Sequence, residues 1–391
     1  MIHYLDNSAT TPLCDAAKVK INKVIENYGN PSSLHELGVR AQTEIENARK
    51  TLLSVFLPAG ARGSSEQIVF TSGGTEANNI ALVGTATSKP RNNGKKIIVG
   101  ETEHSSVYAS AEHLRSLGYN VVYIPSPRGV WDMDKYIKEL TPDTILVSAM
   151  LVNNEVGAVN DISAIARSAK EVNPDVTVHC DAVQGFMRLP SKLFSEADLV
   201  SVSAHKIGAP KGTGALYLSP NAIKRRAVSP VVYGGGQEHG LRSGTENVIG
   251  IAAFGAAVEY YKSNFAAFSK KFDELHSYAT EKFSGLKTLG VVLNIPQSRI
   301  HANHILSVTV NGIRSETLLH FLSSEGVYVS SGSACSSNSN VKSRTLKSFG
   351  LSDDEADSTV RFSFGPQNEK DDIDAAAEAV IKAAKTLSRK R

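Results

Sequence analysis

The sequence predicts an α/β protein of two layered units. Three observations carry this. Short apolar runs of strand character alternate with helical patterns from about residue 67 to residue 218. Polar residues able to do chemistry recur just past the ends of those runs: Thr75, His104, Asn154, Asp181 and Lys206. The chain has 391 residues, more than one small core organises. In open α/β sheets ligands bind beyond the carboxyl ends of the strands, so the recurrence marks a site as well as a fold.

Residues 1–13 form a turn-rich opening around Tyr4-Leu5-Asp6-Asn7-Ser8-Ala9-Thr10-Thr11-Pro12. Ala16 to Asn27 has helical spacing, which Tyr28-Gly29-Asn30-Pro31-Ser32-Ser33 breaks. Glu36 to Phe56 reads as a long amphipathic helix. A strand, Gln67 to Phe70, leads through Thr71-Ser72-Gly73-Gly74-Thr75-Glu76 into a helix from about Ala77 to Ala86. Two glycines and a Thr-opened helix present free backbone N–H groups at the positive end of a helix dipole, which suits a phosphate. An ordinary strand-to-helix turn with a Thr cap fits the same residues. This is neither a Walker loop nor GxGxxG.

Lys96 to Val99 is a strand that delivers Glu103-His104-Ser105-Ser106. His104 opens the next helix, where a flat imidazole can stack on a planar ligand or serve only as a cap. Asn120 to Ile124 and Asp143 to Ser148 are strands, the second leading to Asn153-Asn154-Glu155-Val156-Gly157. Val176 to Cys180 ends at Asp181-Ala182-Val183-Gln184. A carboxylate at the end of an apolar strand is costly unless paired, so a cationic partner or a helix N-cap is expected. Leu199 to Val202 and Ala215 to Leu218 are strands that flank Ser203-Ala204-His205-Lys206-Ile207-Gly208-Ala209-Pro210-Lys211-Gly212-Thr213-Gly214. Lys206 is thus held between rigid elements, where a neutral amine can form a Schiff base with an aldehyde. A solvated loop lysine is the plain alternative.

Tyr233 to Thr245 is a polar, Gly-rich loop that a ligand or another backbone can approach closely. A helix from about Ile249 to Ser263, continuing to about Phe283, connects to a second alternating region. There His304 to Val310 is a strand, Ser315 to Glu325 a helix, Val327 to Ser330 a strand, Thr359 to Phe364 a strand carrying Arg361, and Asp371 to Ser388 a closing helix. Ser331 to Asn340 is almost entirely Ser, Gly, Asn and Ala around Cys335, a composition that predicts mobility.

Bulk composition excludes several classes. Hydrophobic content is 41% and charged content 21%, which fits a soluble globular protein. Lys and Arg total 42 against 39 acidic residues, a formal charge of +3 that gives no whole-chain signal for nucleic acid or an anionic membrane. The apolar runs are far short of a membrane span. Met1 to Asp6 lacks the pattern of a signal peptide. Cys14, Cys180 and Cys335 form no CxxC, which argues against structural zinc or a disulfide framework and fits a reducing cytoplasm. Cys14 and Cys180 read as buried small hydrophobes. Cys335, among small polar neighbours, reads as an exposed thiol that reacts.

Ten motifs, in order along nearly the whole chain, carry a resemblance: YLDNSATTP, YGNPSS, TSGGTEANN, TEHSS, NNEVG, HCDAVQ, SAHKIGAPKGTGALY, GGGQEHGLRSGTEN, SSGSAC and VRFSFG. The chain resembles the cysteine desulfurases of the NifS/IscS type, pyridoxal-phosphate enzymes of aminotransferase class V. The resemblance implies a large domain over residues 14–256, built on a mainly parallel seven-stranded sheet of the aminotransferase-like fold type I. A smaller α/β domain from 1–13 and 257–391 would carry the Cys335 loop. It implies that Lys206 carries pyridoxal 5'-phosphate, that Asp181 pairs with the ring nitrogen and that His104 stacks on the ring. Asn154 and Gln184 match the groups near the phenolic oxygen, and Asn154 also adjoins the substrate. Gly74, Thr75, Ser203 and His205 match the phosphate cup. Thr245 matches a threonine that reaches the phosphate of the neighbouring subunit, hence a homodimer. Arg361 matches the arginine that takes the substrate carboxylate, and Cys335 the nucleophile that accepts sulfur from L-cysteine as a persulfide. The run SSGSACSS places the chain with the long-loop branch rather than the RxGHHC-like one, and Ser336 stands where many members have Thr. The sulfur acceptor implied is an iron–sulfur scaffold, with which Cys335 would transiently share a cluster, or a tRNA-thiolation enzyme. No resident metal is implied. A class V aminotransferase, a selenocysteine lyase and a non-catalytic binding protein are the rival readings. Cys335 opposes the first, and the intact Lys206, Asp181, His104 and Cys335 set opposes the last.

Overall fold

Lys96–Gly100, Thr144–Met150, Thr177–Asp181 and Leu199–Ser203 are buried along their whole length. Strands buried on both faces belong to a parallel sheet with helices on each side. The computed structural model, which describes residues 1–58, 60–88, 94–332 and 343–387, has that architecture. In chain order the strands are β1 (His3–Tyr4), β2 (Ile68–Thr71), β3 (Lys96–Gly100), β4 (Asn120–Ile124), β5 (Thr144–Met150), β6 (Thr177–Asp181), β7 (Leu199–Ser203), β8 (Gly214–Leu218), β9 (Val291–Leu293), β10 (Ile305–Val310), β11 (Val327–Tyr328), β12 (Ser330–Ser331) and β13 (Thr359–Ser363).

The large sheet has seven strands in the order β2-β8-β7-β6-β5-β3-β4. Only β8 runs against the others, pairing antiparallel with both β7 and β2. One face carries the helices Asp15–Val24, Glu36–Phe56, Ile162–Val172 and Val248–Ser263, which bury Ala17, Ile45, Leu52, Ile165 and Phe254. The other face buries Ala77, Ile80, Val107 and Leu114. The small sheet, β12-β13-β10-β9, is antiparallel, and β1 pairs in parallel with β11. Its core gathers Leu5, Phe272, Phe283, Val308, Leu318, Phe362 and Val380.

Four expectations need correction. The strand expected from Val327 to Ser330 divides, because β1 and β13 each offer an edge and one short run cannot stay in register with both. The connector helix is two helices, Val248–Ser263 and Phe265–Ser284, turned at Asn264, whose side chain donates to the Tyr260 carbonyl at 2.8 Å. The turn lets the first helix, including Ala257, Val258 and Tyr261, pack on the large core while the second packs on the small one. The helix expected from Ala77 begins at Gly74 and passes through a π-helical turn, Ile80–Gly84. There Ser229 N–H takes the Gly84 carbonyl at 3.0 Å, diverting it from the helical ladder. Cys180 is fully buried, but Cys14 is only half-buried.

β2 lies at the edge of the large sheet, and an open edge exposes unpaired backbone groups. Arg49 and Glu238 close it. Arg49 Nη1 donates to the Ile68 carbonyl at 2.5 Å, and Glu238 Oε2 accepts from Phe70 N–H at 2.8 Å. The two side chains form a two-pronged pair at 2.8 and 2.9 Å, with side chains 5% and 2% exposed. Glu238 sits at a left-handed φ of 50°, held there by this pair. Arg49 thus fixes the Gly-rich loop 233–245 to the sheet. Arg49→Leu leaves a buried carboxylate without its counter-charge and should lower the stability by about 3 to 5 kcal/mol in urea unfolding. A midpoint close to that of the wild type would show that water reaches the pair.

Candidate active site

β2, β3, β5, β6 and β7 all end on one side of the large sheet, and a cavity of about 480 Å³ opens there. Gly74, Thr75, His104, Asn154, Asp181, Gln184, Ser203, His205 and Lys206 line it from the large sheet. Arg361 and Ser330 to Gly332 line it from the small sheet, and Asp6, Ser8 and Ala9 from the N-terminal segment.

Lys206 lies in a 3-10 turn, Ala204–Ile207, directly after β7. Gly208 ends that turn at φ 73°, a left-handed position that glycine takes without strain. Lys206 Nζ donates to the carbonyls of Ser8 at 2.6 Å and Ala9 at 2.8 Å. Its own carbonyl accepts from Thr11 Oγ1 at 3.0 Å and Arg188 Nη2 at 2.7 Å. The lysine is therefore gripped at both ends. Arg188 is fully buried, its Nε and Nη1 have no partner among the described residues, and burial lowers its pKa. Burial, then Lys206, Lys211 and Arg188, push His205 down to about 4.

Asp181 closes β6 in register with Met150. Among the described residues its partners are neutral. Its Oδ2 accepts from Asn78 Nδ2 at 2.8 Å and its Oδ1 from Val183 N–H at 3.0 Å. Asn78 Nδ2 also donates to Ser106 Oγ at 2.9 Å, which bonds His104 Nδ1 at 2.8 Å. Ser106 N–H donates to the same nitrogen at 3.2 Å, so Nδ1 is the acceptor and the neutral ring carries its proton on Nε2. Burial lowers the His104 pKa, against the pull of Asp181. Behind them Glu103 is fully buried, and burial followed by the Asp181 charge raises its carboxyl well above the usual range.

A side chain on Gly74 would meet Val183 Cγ2 at 2.7 Å and Ser203 Cβ at 3.6 Å, so glycine keeps a hollow open beside Thr75, Ser203 and His205. Gln184 Nε2 donates to the Ser8 carbonyl at 2.9 Å, while its buried Oε1 has no partner among the described residues. Arg361, on β13, donates from Nη1 to the Asn154 carbonyl at 2.8 Å and from Nη2 to Asp6 Oδ1 at 2.8 Å. Its buried Nε has no partner among the described residues. Thr245 is exposed and outside this cavity. Cys335, with the expected mobility of its segment, lies outside the described residues. On either side of that segment, Ser343 Oγ donates to Glu155 Oε2 at 2.6 Å, and a Cβ on Gly332 would fall 2.3 Å from the same oxygen.

The aminotransferase class-V family model matches residues 3–376. The chain is 37% identical to a cysteine desulfurase IscS of Dictyoglomus turgidum, over 98% of this chain and 96% of that one. A solved NifS-like protein superposes with a TM-score of 0.88 at 32% identity, covering 99% of this chain and 100% of the other. A solved SspA in complex with cysteine matches with a TM-score of 0.78 at 30% identity, covering 94% and 99%. The chain belongs to the class-V aminotransferases. Within that family it falls with the cysteine desulfurases.

Enzymes of this family work with pyridoxal phosphate. The residues present fit that group: an amine and a carboxylate in one cavity, a hollow edged by small hydroxyl and glycine residues, and polar atoms at Gln184 and Arg361 without a partner among the described residues. The sequence reading missed Asp6, the Ser8 and Ala9 carbonyls, Asn78, Ser106 and Arg188. Asn78 had a signal, since it lies three residues past Thr75 on the same helical face. The others follow only from the tertiary fold.

His179, beneath Asp181, bonds Ser148 Oγ at 2.8 Å and Ser201 Oγ at 3.0 Å, and burial pushes it down to about 4. The unfolded chain binds this proton near pH 6.5 and the folded chain does not, so acidification below that pH costs stability. The raised carboxyl of Glu103 works in the opposite sense. A difference measurement isolates the histidine. The stability advantage of the wild type over His179→Gln should shrink by up to about 3 kcal/mol between pH 6.5 and pH 4. A constant difference in urea midpoints would mean that His179 titrates normally.

Proposed function

We propose that this protein is a cysteine desulfurase, converting L-cysteine to L-alanine and leaving the sulfur as a persulfide on Cys335. The observation that carries this reading is a single cavity holding Lys206, Asp181 and His104 from the large sheet with Arg361 from the small one. Bound pyridoxal phosphate would supply an aldehyde for amines and a ring able to store an electron pair. Lys206 Nζ would hold the cofactor and then carry the substrate Cα proton. Asp181 would keep a proton on the ring nitrogen, with His104 against the ring and Asn154 and Gln184 at the phenolic oxygen. Gly74, Thr75, Ser203 and His205 would hold the phosphate, joined by Thr245 from a second copy in a homodimer. Arg361 would take the substrate carboxylate as a planar fork.

Cys335 acts as a thiolate. Its sulfur bonds the substrate sulfur as the substrate C–S bond breaks, and the electron pair left on carbon is protonated to give alanine. The persulfide then passes to an acceptor protein, an iron–sulfur scaffold or a tRNA-thiolation enzyme, in the cytoplasm. In this division the proposed large unit, 14–256, supplies the cofactor groups. The remainder supplies the substrate grip and the nucleophile.

Alanine formed from L-cysteine without any keto acid separates this reaction from transamination. Lys206→Ala and Cys335→Ser should each cut alanine release by about a thousandfold or more. Only Cys335→Ser should still bind L-cysteine in the usual way. Alanine release at the wild-type rate from Lys206→Ala would overturn the reading.

A further inference from the structure

Arg361 does not face the cavity alone. We propose that Asp6 is a specificity-determining positioning residue of the carboxylate subsite, an internal carboxylate that holds one arm of Arg361 and sets the affinity for amino-acid carboxylates. The proposal rests on the reading of Arg361 as the carboxylate grip.

Asp6 Oδ1 accepts from Arg361 Nη2 at 2.8 Å and from Ser330 Oγ at 2.7 Å. The side chains are 17% and 8% exposed, so the pair lies at the cavity wall and is only partly screened. Backbone contacts fix the carboxylate. Asp6 bridges Ser363, two residues beyond Arg361, and its carbonyl accepts from Tyr4 Oη at 3.2 Å. A guanidinium has five N–H groups. Asp6 occupies Nη2 and the Asn154 carbonyl occupies Nη1, while Nε is buried with no partner among the described residues.

An incoming carboxylate therefore shares Arg361 with Asp6 rather than meeting a bare cation. Two anions then share one guanidinium, and even with Arg188 and Lys206 nearby their mutual repulsion weakens the ligand's hold. In the absence of ligand the same contact offsets the cost of a desolvated guanidinium. Substrate and product carry the same α-carboxylate, so the effect falls on both alike and leaves the chemical step unchanged.

The test uses the cofactor-loaded enzyme with L-alanine, the product, which has no sulfur to lose, read by calorimetry, alongside KM and kcat for L-cysteine. Asp6→Asn keeps an Oδ1 acceptor for Arg361 and Ser330 and removes only the charge. Asp6→Ser, also neutral, serves if the amide disturbs folding. Both should tighten L-alanine binding and lower KM by roughly five- to tenfold, between the worth of an exposed and a buried charge pair, with kcat changed less than about twofold. Unchanged or weaker L-alanine binding in the neutral variants, with weaker binding in Arg361→Lys, overturns the role of Asp6 and keeps the Arg361 reading. Unchanged binding in Arg361→Lys shows that the carboxylate site lies elsewhere, and the proposal falls with it.

Discussion

Residues 6–14 run between the two sheets and are bonded to both, and the geometry of the cavity depends on that stitch. On the small-sheet side, Asn7 N–H donates to the Ser363 carbonyl at 3.2 Å, Ser8 N–H to Ser363 Oγ at 2.8 Å and Asn7 Nδ2 to Asn368 Oδ1 at 3.0 Å. On the large-sheet side, Thr11 N–H donates to the His205 carbonyl at 3.0 Å and Cys14 N–H to the Gly208 carbonyl at 2.9 Å. Between these anchors, the Ser8 and Ala9 carbonyls hold Lys206 Nζ. The distance from Arg361 to Lys206 is thus set by this short segment together with the direct bond from Arg361 Nη1 to the Asn154 carbonyl. A bifunctional ligand gripped at both ends depends on that spacing, since small misplacements cost large factors in rate.

The electrostatics around this segment are deliberately unequal. Arg188, Lys206 and Arg361 bring cationic side chains close together, with Asp6 and Asp181 as the carboxylates near them. Burial works against further charge here: it raises the Glu103 carboxyl and lowers the imidazoles of His179, His205 and His104. Neutral imidazoles do not add to a site already rich in positive charge. Among the described residues Asp181 accepts from an amide and a backbone N–H, both neutral, and its side chain lines the cavity. Charge held ready by fixed dipoles needs no reorganisation when a ligand arrives.

Much of this was legible in the sequence. The apolar runs at Ile145 to Val147 and Val200 to Val202 carried the parallel sheet, and the polar residues at their ends carried the site. Ten of the residues expected in the site line the same cavity. What the sequence concealed has physical causes. Asp6, Ser8 and Ala9 lie in a segment without periodicity, and two of their three contributions come from main-chain carbonyls that any residue supplies. The break between β11 and β12 depends on two edges competing for one run. The turn at Asn264 depends on which of two cores each half of an apolar pattern faces. Arg49 looked like one charge among several on an amphipathic helix, and its partner lies 189 positions away.

Orphaned polar atoms make the last link from packing to chemistry. A buried donor or acceptor with no partner costs about 1 to 3 kcal/mol. Arg361 Nε, Gln184 Oε1 and Asn78 Oδ1 are all buried without a partner among the described residues, and all three belong to side chains lining one cavity. A wall built only for stability would have replaced them with apolar groups of similar shape, as the core beneath it does with Val147, Val178 and Val202. At these three positions a ligand in the cavity would repay the cost. The positions of these atoms also say what kind of ligand can do so. Arg361 Nε calls for an acceptor on the small-sheet side, while Lys206 and Asp181 face a second group on the large-sheet side. In the function proposed above, these are the two ends that the carboxylate and the amine-bearing carbon of L-cysteine would meet.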